Sequence, residues 1–92
     1  MTVARRLVIH GRVQGVFYRG WAVETARPLG LAGWVRNRRD GTVEAVVQGD
    51  ESAVERFISL AREGPPAAGV ERIEVSEELP ADFSGFEQRR TS

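Results

Sequence analysis

The chain has 92 residues, no cysteine and no lysine; its 13 arginines balance 13 carboxylates to a formal net charge of zero. This excludes disulfides, thiolate metal sites, cysteine nucleophiles and the lysine of Schiff-base or Walker-type phosphate chemistry. A neutral balance also argues against a general nucleic-acid binder, and no apolar run reaches the ~18 residues of a membrane span. One domain over residues 1–92 is expected. The first twelve residues lack the apolar core and cleavage site of a signal peptide, so a cytoplasmic protein is expected.

Residues 4–13 alternate, with Leu7, Ile9 and Val13 on one face and Arg6, Val8, His10 and Arg12 on the other, which predicts a strand. A turn through Gly15 leads into a helix over 18–29, with Ala22, Ala26 and Leu29 near helical spacing and Gly30 as its stop. Pro28 lacks an N–H and disfavours helical geometry at Arg27, so the helix bends or ends early there. Strands are predicted over 31–38 and 42–49, joined through Asp40-Gly41, a hairpin signal. Asp50 or Ser52 is placed to cap a second helix, and Ser52 with Glu55 fits a capping box. Val54, Phe57, Ile58 and Ala61 form its apolar stripe, and Gly64-Pro65-Pro66 stops it. A fourth strand covers 70–76, a polar loop 79–84, and 86–90 reads as a short strand on a sheet edge. The order β-α-β-β-α-β predicts an α+β, ferredoxin-like sandwich: an antiparallel sheet with two helices on one face. That fold hosts many functions and does not choose among them.

Gln14, Gly15, Val16, Phe17, Tyr18 and Arg19 join the first strand to the first helix, and none is proline. A helix N-terminus presents free N–H groups and partial positive charge, so this loop has the means to wrap an oxyanion, with Arg19 adding a bidentate fork. Spacing alone favours the plainer reading, a glycine turn followed by a surface arginine. Asn37, at the end of the second strand on the face of Val35, is either a local turn residue or a water-holding amide. His10 lies mid-strand without a nucleophile partner and reads as structural. Trp21 and Trp34 read as packing residues. Arg36, Arg38 and Arg39 form a local basic cluster, which is either a plain exposed hairpin or a weak attractor of anionic substrates. The carboxylates show no metal-ligand spacing. The third strand has no aromatic residue on its open face, which argues against RNA binding.

The chain resembles the acylphosphatase family. Gly11-Arg12-Val13-Gln14-Gly15-Val16-Phe17-Tyr18-Arg19 looks like the family's first signature. Leu29-Gly30-Leu31-Ala32-Gly33-Trp34-Val35-Arg36-Asn37 looks like the second, continued by Asp40-Gly41-Thr42-Val43-Glu44 and Val47-Gln48-Gly49. The likeness runs from the first strand to Phe86 and departs at Pro28 and at Gln88, where an apolar residue is usual. It implies an acyl phosphate substrate and phosphate held by the backbone of 14–19 and by Arg19. It also implies water positioned by Asn37, with no metal or cofactor. The expected partner is a small-molecule substrate, with no nucleic acid or membrane, and the expected state is a monomer. Related domains also occur inside larger hydrogenase-maturation carbamoyltransferases; the chain's end soon after the last strand favours a free-standing enzyme.

Overall fold

The computed structural model describes all 92 residues. In chain order they form β1 (Thr2–Arg12), α1 (Tyr18–Ala26), β2 (Ala32–Asn37), β3 (Val43–Asp50), α2 (Glu51–Ala61), β4 (Gly69–Glu77) and β5 (Phe86–Gln88). The strands make one sheet in the order β4-β1-β3-β2-β5, the ferredoxin-like arrangement. Pairings β1–β3, β1–β4 and β2–β3 are antiparallel, as expected. The fifth strand corrects the all-antiparallel expectation: β5 runs parallel to β2, with Gly33 opposite Phe86. The reason is the route between the strands. β4 and β5 lie at opposite edges, and residues 78–85 cross the end of the sheet between them. They are held there by Glu78 N–H to Ala4 O (3.2 Å) and by a two-way amide contact of Gln48 with Ala81 (both 2.8 Å).

Strand alternation puts Leu7, Ile9, Val35, Ala45 and Val47 on the face that meets the helices. α1 contributes Tyr18, Ala22 and Ala26, and α2 contributes Val54, Phe57 and Ala61, all buried. Ile58 of the expected stripe packs at the margin. The rings of Tyr18, Trp21, Phe57 and Phe86 form a tilted chain with centroids 5.3, 6.2 and 6.1 Å apart. Burial of Phe57 alone contributes about 1.5–3 kcal/mol. Val13, just past the end of β1, joins this core despite a register shift between His10 and Gly11.

The helix ends differ from the sequence-based expectation in instructive ways. α1 ends at Ala26, three residues short of the predicted end. Pro28 has no N–H to continue the ladder, and the chain closes instead through Gly30 N–H to Arg27 O (3.0 Å) and Leu31 N–H to Ala26 O (3.1 Å). This is a Schellman end with Gly30 at φ 72, a left-handed position that favours glycine. α2 is capped by Asp50, whose carboxylate accepts from Ser52 N–H (3.2 Å) and Ser52 Oγ (2.5 Å). The Ser52–Glu55 capping box does not form, because Ser52 already lies inside the first turn.

No helix covers the other face of the sheet, yet Ala4, Glu44 and Val46 are buried there. Arginine stems provide the cover. The Glu44 carboxylate, fully buried, is paired with Arg6 and with Arg36 (Nε to Oε1, 2.7 Å). The Arg36 and Arg89 guanidinium groups both lie over the Trp34 ring, 4.8 and 4.9 Å from its centroid. Trp21 and Trp34 are thus packing residues on opposite faces. Arg36 is not part of a free basic cluster, which corrects the expectation for the hairpin.

Candidate active site

β1 leaves the sheet at Arg12 and the chain turns sharply into α1. Gly15 has φ 74, and Phe17, the N-cap of α1, has φ 68 and ψ 23. Left-handed residues in such a turn gather neighbouring N–H groups into a concave nest that suits an anion. The first hydrogen bond of the helix is Trp21 N–H to Phe17 O at 2.9 Å. The amides of residues 14–20 donate to no other group of the protein. No acidic side chain sits in the first turn, so the positive end of α1 is not offset there.

Arg19 lies in that first turn, half-buried, and its Nη1 donates to the carbonyl of Arg89 at 3.2 Å. Asn37 closes β2 on the helix-covered face shared with Val35; its side-chain amide makes no hydrogen bond within the protein, while its backbone carbonyl accepts from Ser92 N–H at 3.0 Å. The structure brings the two together. A cavity of about 180 Å³ is lined by Val13, Gly15, Phe17, Tyr18, Arg19, Gly20, Asn37 and Gln88. Of the other loop residues, Val16 packs against the core. Tyr18 turns its ring inward and donates its hydroxyl to Ala61 O at 2.7 Å, tying α1 to the end of α2. Burial pushes the Tyr18 phenol well above its ordinary range, so it stays protonated.

Gln14 plays a part that the sequence did not reveal. Its side-chain Nε2 donates to Arg38 O (2.7 Å) and to Thr42 O (2.8 Å), pinning the loop to the β2–β3 hairpin that carries Asn37. The hairpin is also closed by Asp40, whose Oδ1 accepts from Thr42 N–H (3.0 Å) and Thr42 Oγ1 (2.6 Å). Those bonds hold the Asp40 carboxyl below the usual aspartate range. Gln88 and Arg89 were also missed. Their segment reads as a weak edge strand, and only the parallel pairing of β5 with β2 carries it to the cavity. His10 pairs with Glu74 across the sheet (3.2 Å) and does not line the cavity, in keeping with a structural role. A larger depression of about 550 Å³ sits at the opposite end of β2. Its one cation, Arg27, is already bound to Phe86 O through two nitrogens (3.3 and 3.2 Å).

Chemically, the small cavity offers free amides, one guanidinium and the carboxamide residues Asn37 and Gln88, without a nucleophile or a titrating base. No cluster of three His, Cys, Asp or Glu residues stands anywhere in the chain to hold a metal. Such a site suits a tetrahedral oxyanion and a substrate that is already activated.

A sequence model of the acylphosphatase family matches residues 5–88. An acylphosphatase of Acidovorax sp. (strain JS42) is 58% identical over 90 residues, covering 98% of this chain and 93% of its relative. One from Rhodospirillum rubrum is 57% identical over 81 residues, covering 88% and 89%. Among solved structures, an acylphosphatase from Coxiella burnetii superposes with a TM-score of 0.92 at 34% identity, covering 96% of this chain and 93% of that one. Full-length HypF in its phosphate- and nucleotide-bound form matches with a TM-score of 0.91 at 29% identity, but the likeness spans only 12% of that chain. The chain belongs to the acylphosphatase family, the hydrolases of the anhydride between a carboxylic acid and phosphate.

Proposed function

We propose that the nest at 14–19, Arg19 and Asn37 together form the site at which this enzyme hydrolyses acyl phosphates. The observation that carries the reading is the single cavity lined by Arg19, Asn37 and the free-amide loop. In this reading the loop amides and the Arg19 fork hold the phosphoryl oxygens and stabilise the charge that gathers on them. Asn37 orients a water in line with the bond to be broken. The water oxygen attacks phosphorus, the P–O bond to the acyl group breaks, and the carboxylate departs. An amide is not a base, so the water's proton passes to an oxygen of the substrate itself.

Because guanidinium and backbone dipoles supply the positive charge, the reaction runs without metal or cofactor. We further place the enzyme in the cytoplasm, as a monomeric single domain acting on a small-molecule substrate, without nucleic acid or membrane. No helix is long and apolar enough to cross a membrane.

Turnover of benzoyl phosphate by the purified protein tests the reading. Activity is expected to survive dialysis against EDTA, and inorganic phosphate and sulfate are expected to inhibit competitively. Loss of activity restored by Mg²⁺ or Zn²⁺ would rule out metal independence. Purely noncompetitive inhibition would rule out the nest as the phosphate site. A catalytically silent module of the same fold would show no turnover.

A further inference from the structure

Phe17 breaks local rules that a folding argument does not excuse. It is the only non-glycine residue with positive φ, a conformation that costs an L-residue about 1–2 kcal/mol. A glycine or asparagine would make the same turn with less strain. Nor does burial compensate, because the residue is 62% exposed. The remaining exposed large apolar residues, Met1, Val75 and Leu79, lie at the N-terminus, on the edge strand β4 and in the crossing segment. Phe17 alone lines the cavity.

The helix also makes room for this ring. A Cβ added at Gly20 would sit 2.2 Å from Phe17 Cε1 and 2.5 Å from Cζ. Glycine is a poor helix former, and Gly20 stands in the first turn of α1. Its φ here is ordinary, so space rather than backbone freedom accounts for it. Two unfavourable choices, Phe at a left-handed position and Gly in a helix, converge on one outcome. They seat an exposed aromatic ring beside the phosphate nest. Strain kept at a cleft in this way points to function.

We propose that Phe17 is the acyl-recognition residue of this enzyme, and that it selects acyl phosphates whose acyl group is aromatic or extended and apolar over acetyl phosphate. The proposal rests on the nest reading above. With the phosphoryl group held by the 14–19 amides and Arg19, the acyl group must project from the nest toward the mouth of the cavity. Phe17 offers a flat apolar surface there, and stacking or edge contact with it removes apolar area from water on both partners. Acetyl phosphate carries only a methyl group and gains little from that surface.

The test is the ratio of kcat/KM for benzoyl phosphate to that for acetyl phosphate. It is measured in the native protein, in Phe17→Asn, which tolerates the left-handed turn, and in Gly20→Ala, which displaces the ring without removing it. The native ratio is expected to favour benzoyl phosphate. Phe17→Asn is expected to reduce it about tenfold, the scale of a lost apolar contact, and Gly20→Ala to reduce it by a smaller factor. An unchanged ratio in Phe17→Asn overturns the proposal, even if both substrates slow together, since a loosened nest harms them alike. A native preference for acetyl phosphate overturns it too. Failure of the nest itself reads out separately, as noncompetitive rather than competitive inhibition of the native protein by inorganic phosphate.

Discussion

The side-chain amide of Gln14 donates to the carbonyl of Thr42 at 2.8 Å and, through its second hydrogen, to that of Arg38 at 2.7 Å. One residue of the proposed phosphate loop therefore ties it to the β2–β3 hairpin that carries Asn37. Both carbonyls keep another donor when Gln14 is removed: Arg38 O accepts from Gly41 N–H (3.1 Å) and Thr42 O from Arg38 N–H (2.9 Å). Gln14→Ala should accordingly cost only about 1–2 kcal/mol of stability, while kcat falls at least tenfold because Asn37 loses its register with the nest. Gln14→Glu should be worse in both respects, since a carboxylate cannot donate to two carbonyls. Urea denaturation alongside kcat on benzoyl phosphate checks this. Full turnover in folded Gln14→Ala would show that the hairpin holds Asn37 unaided.

Arg19 and Asn37 should separate kinetically. In the proposed site Arg19 holds phosphate in the ground state and in the transition state, so Arg19→Ala is expected to harm phosphate inhibition and turnover together. Arg19→Lys should fail badly as well, because a point charge does not replace a planar fork. Asn37 is assigned to water, so Asn37→Ala should lower kcat by roughly 10² and leave phosphate inhibition almost intact. Circular dichroism establishes that both remain folded. Full activity in folded Arg19→Ala would end the assignment of this cavity.

Acid should loosen the hairpin. The bonds from Thr42 depress the Asp40 pKa in the folded state, with smaller help from the nearby Arg38 and His10 charges. A depressed carboxyl contributes stability above its unfolded pKa and loses it as pH falls through the folded value. Asp40→Asn should therefore be less stable than the native protein at neutral pH, and the gap should close below the ordinary aspartate range. Asp50, depressed by its bonds to Ser52 and to the N-terminal amine, should behave alike at the start of α2. Thermal unfolding of each variant across pH 2–7 reads the effect. A gap that is independent of pH would refute it.

The end of α1 should tolerate one change and resist another. Pro28→Ala restores an N–H to the helix but frees the unfolded chain, and these effects oppose each other. Its stability should change by less than about 1 kcal/mol in either direction. Gly30→Ala places a side chain at φ 72 and should cost about 1–2 kcal/mol. Equal effects from the two, measured by chemical denaturation, would contradict the Schellman end.

The buried carboxylate on the open face should be the most sensitive single site outside the core. Glu44 is fully buried, whereas Arg6 and Arg36 keep 38% and 30% of their side-chain exposure. Glu44→Ala should cost about 3 kcal/mol, the low end for breaking a buried pair, because both arginines are able to return to water. Replacing all three with apolar residues of similar volume should recover most of that loss. A loss below about 1 kcal/mol in the single variant would show that the triad behaves as a surface pair.

Much of this protein is local enough to be read from its sequence. Alternation in β1, the Asp40-Gly41 turn, the stripe of α2 and the breaks at Gly30 and Gly64-Pro65-Pro66 depend on neighbours a few residues away. They give the element order and with it the sandwich. The same holds for Arg19, Asn37 and the loop, whose residue types and spacing carry the family likeness. Other features exist only once distant segments meet. Gln14 shows its purpose 24 and 28 residues away, at Arg38 and Thr42. Gln88 reaches the cavity, and the Arg89 carbonyl reaches Arg19, because β5 lies parallel to β2, a pairing set by the crossing segment rather than by any pattern in residues 86–90. Glu44 reads as one carboxylate among many until the sheet places it between two arginines on an uncovered face. The turn at Phe17 is local, but the space for its ring is left by Gly20 and its exposure to the cavity is settled by packing. Periodicity and turn chemistry report short-range forces; side-chain partners across a sheet and the faces left open to solvent are decided by long-range packing.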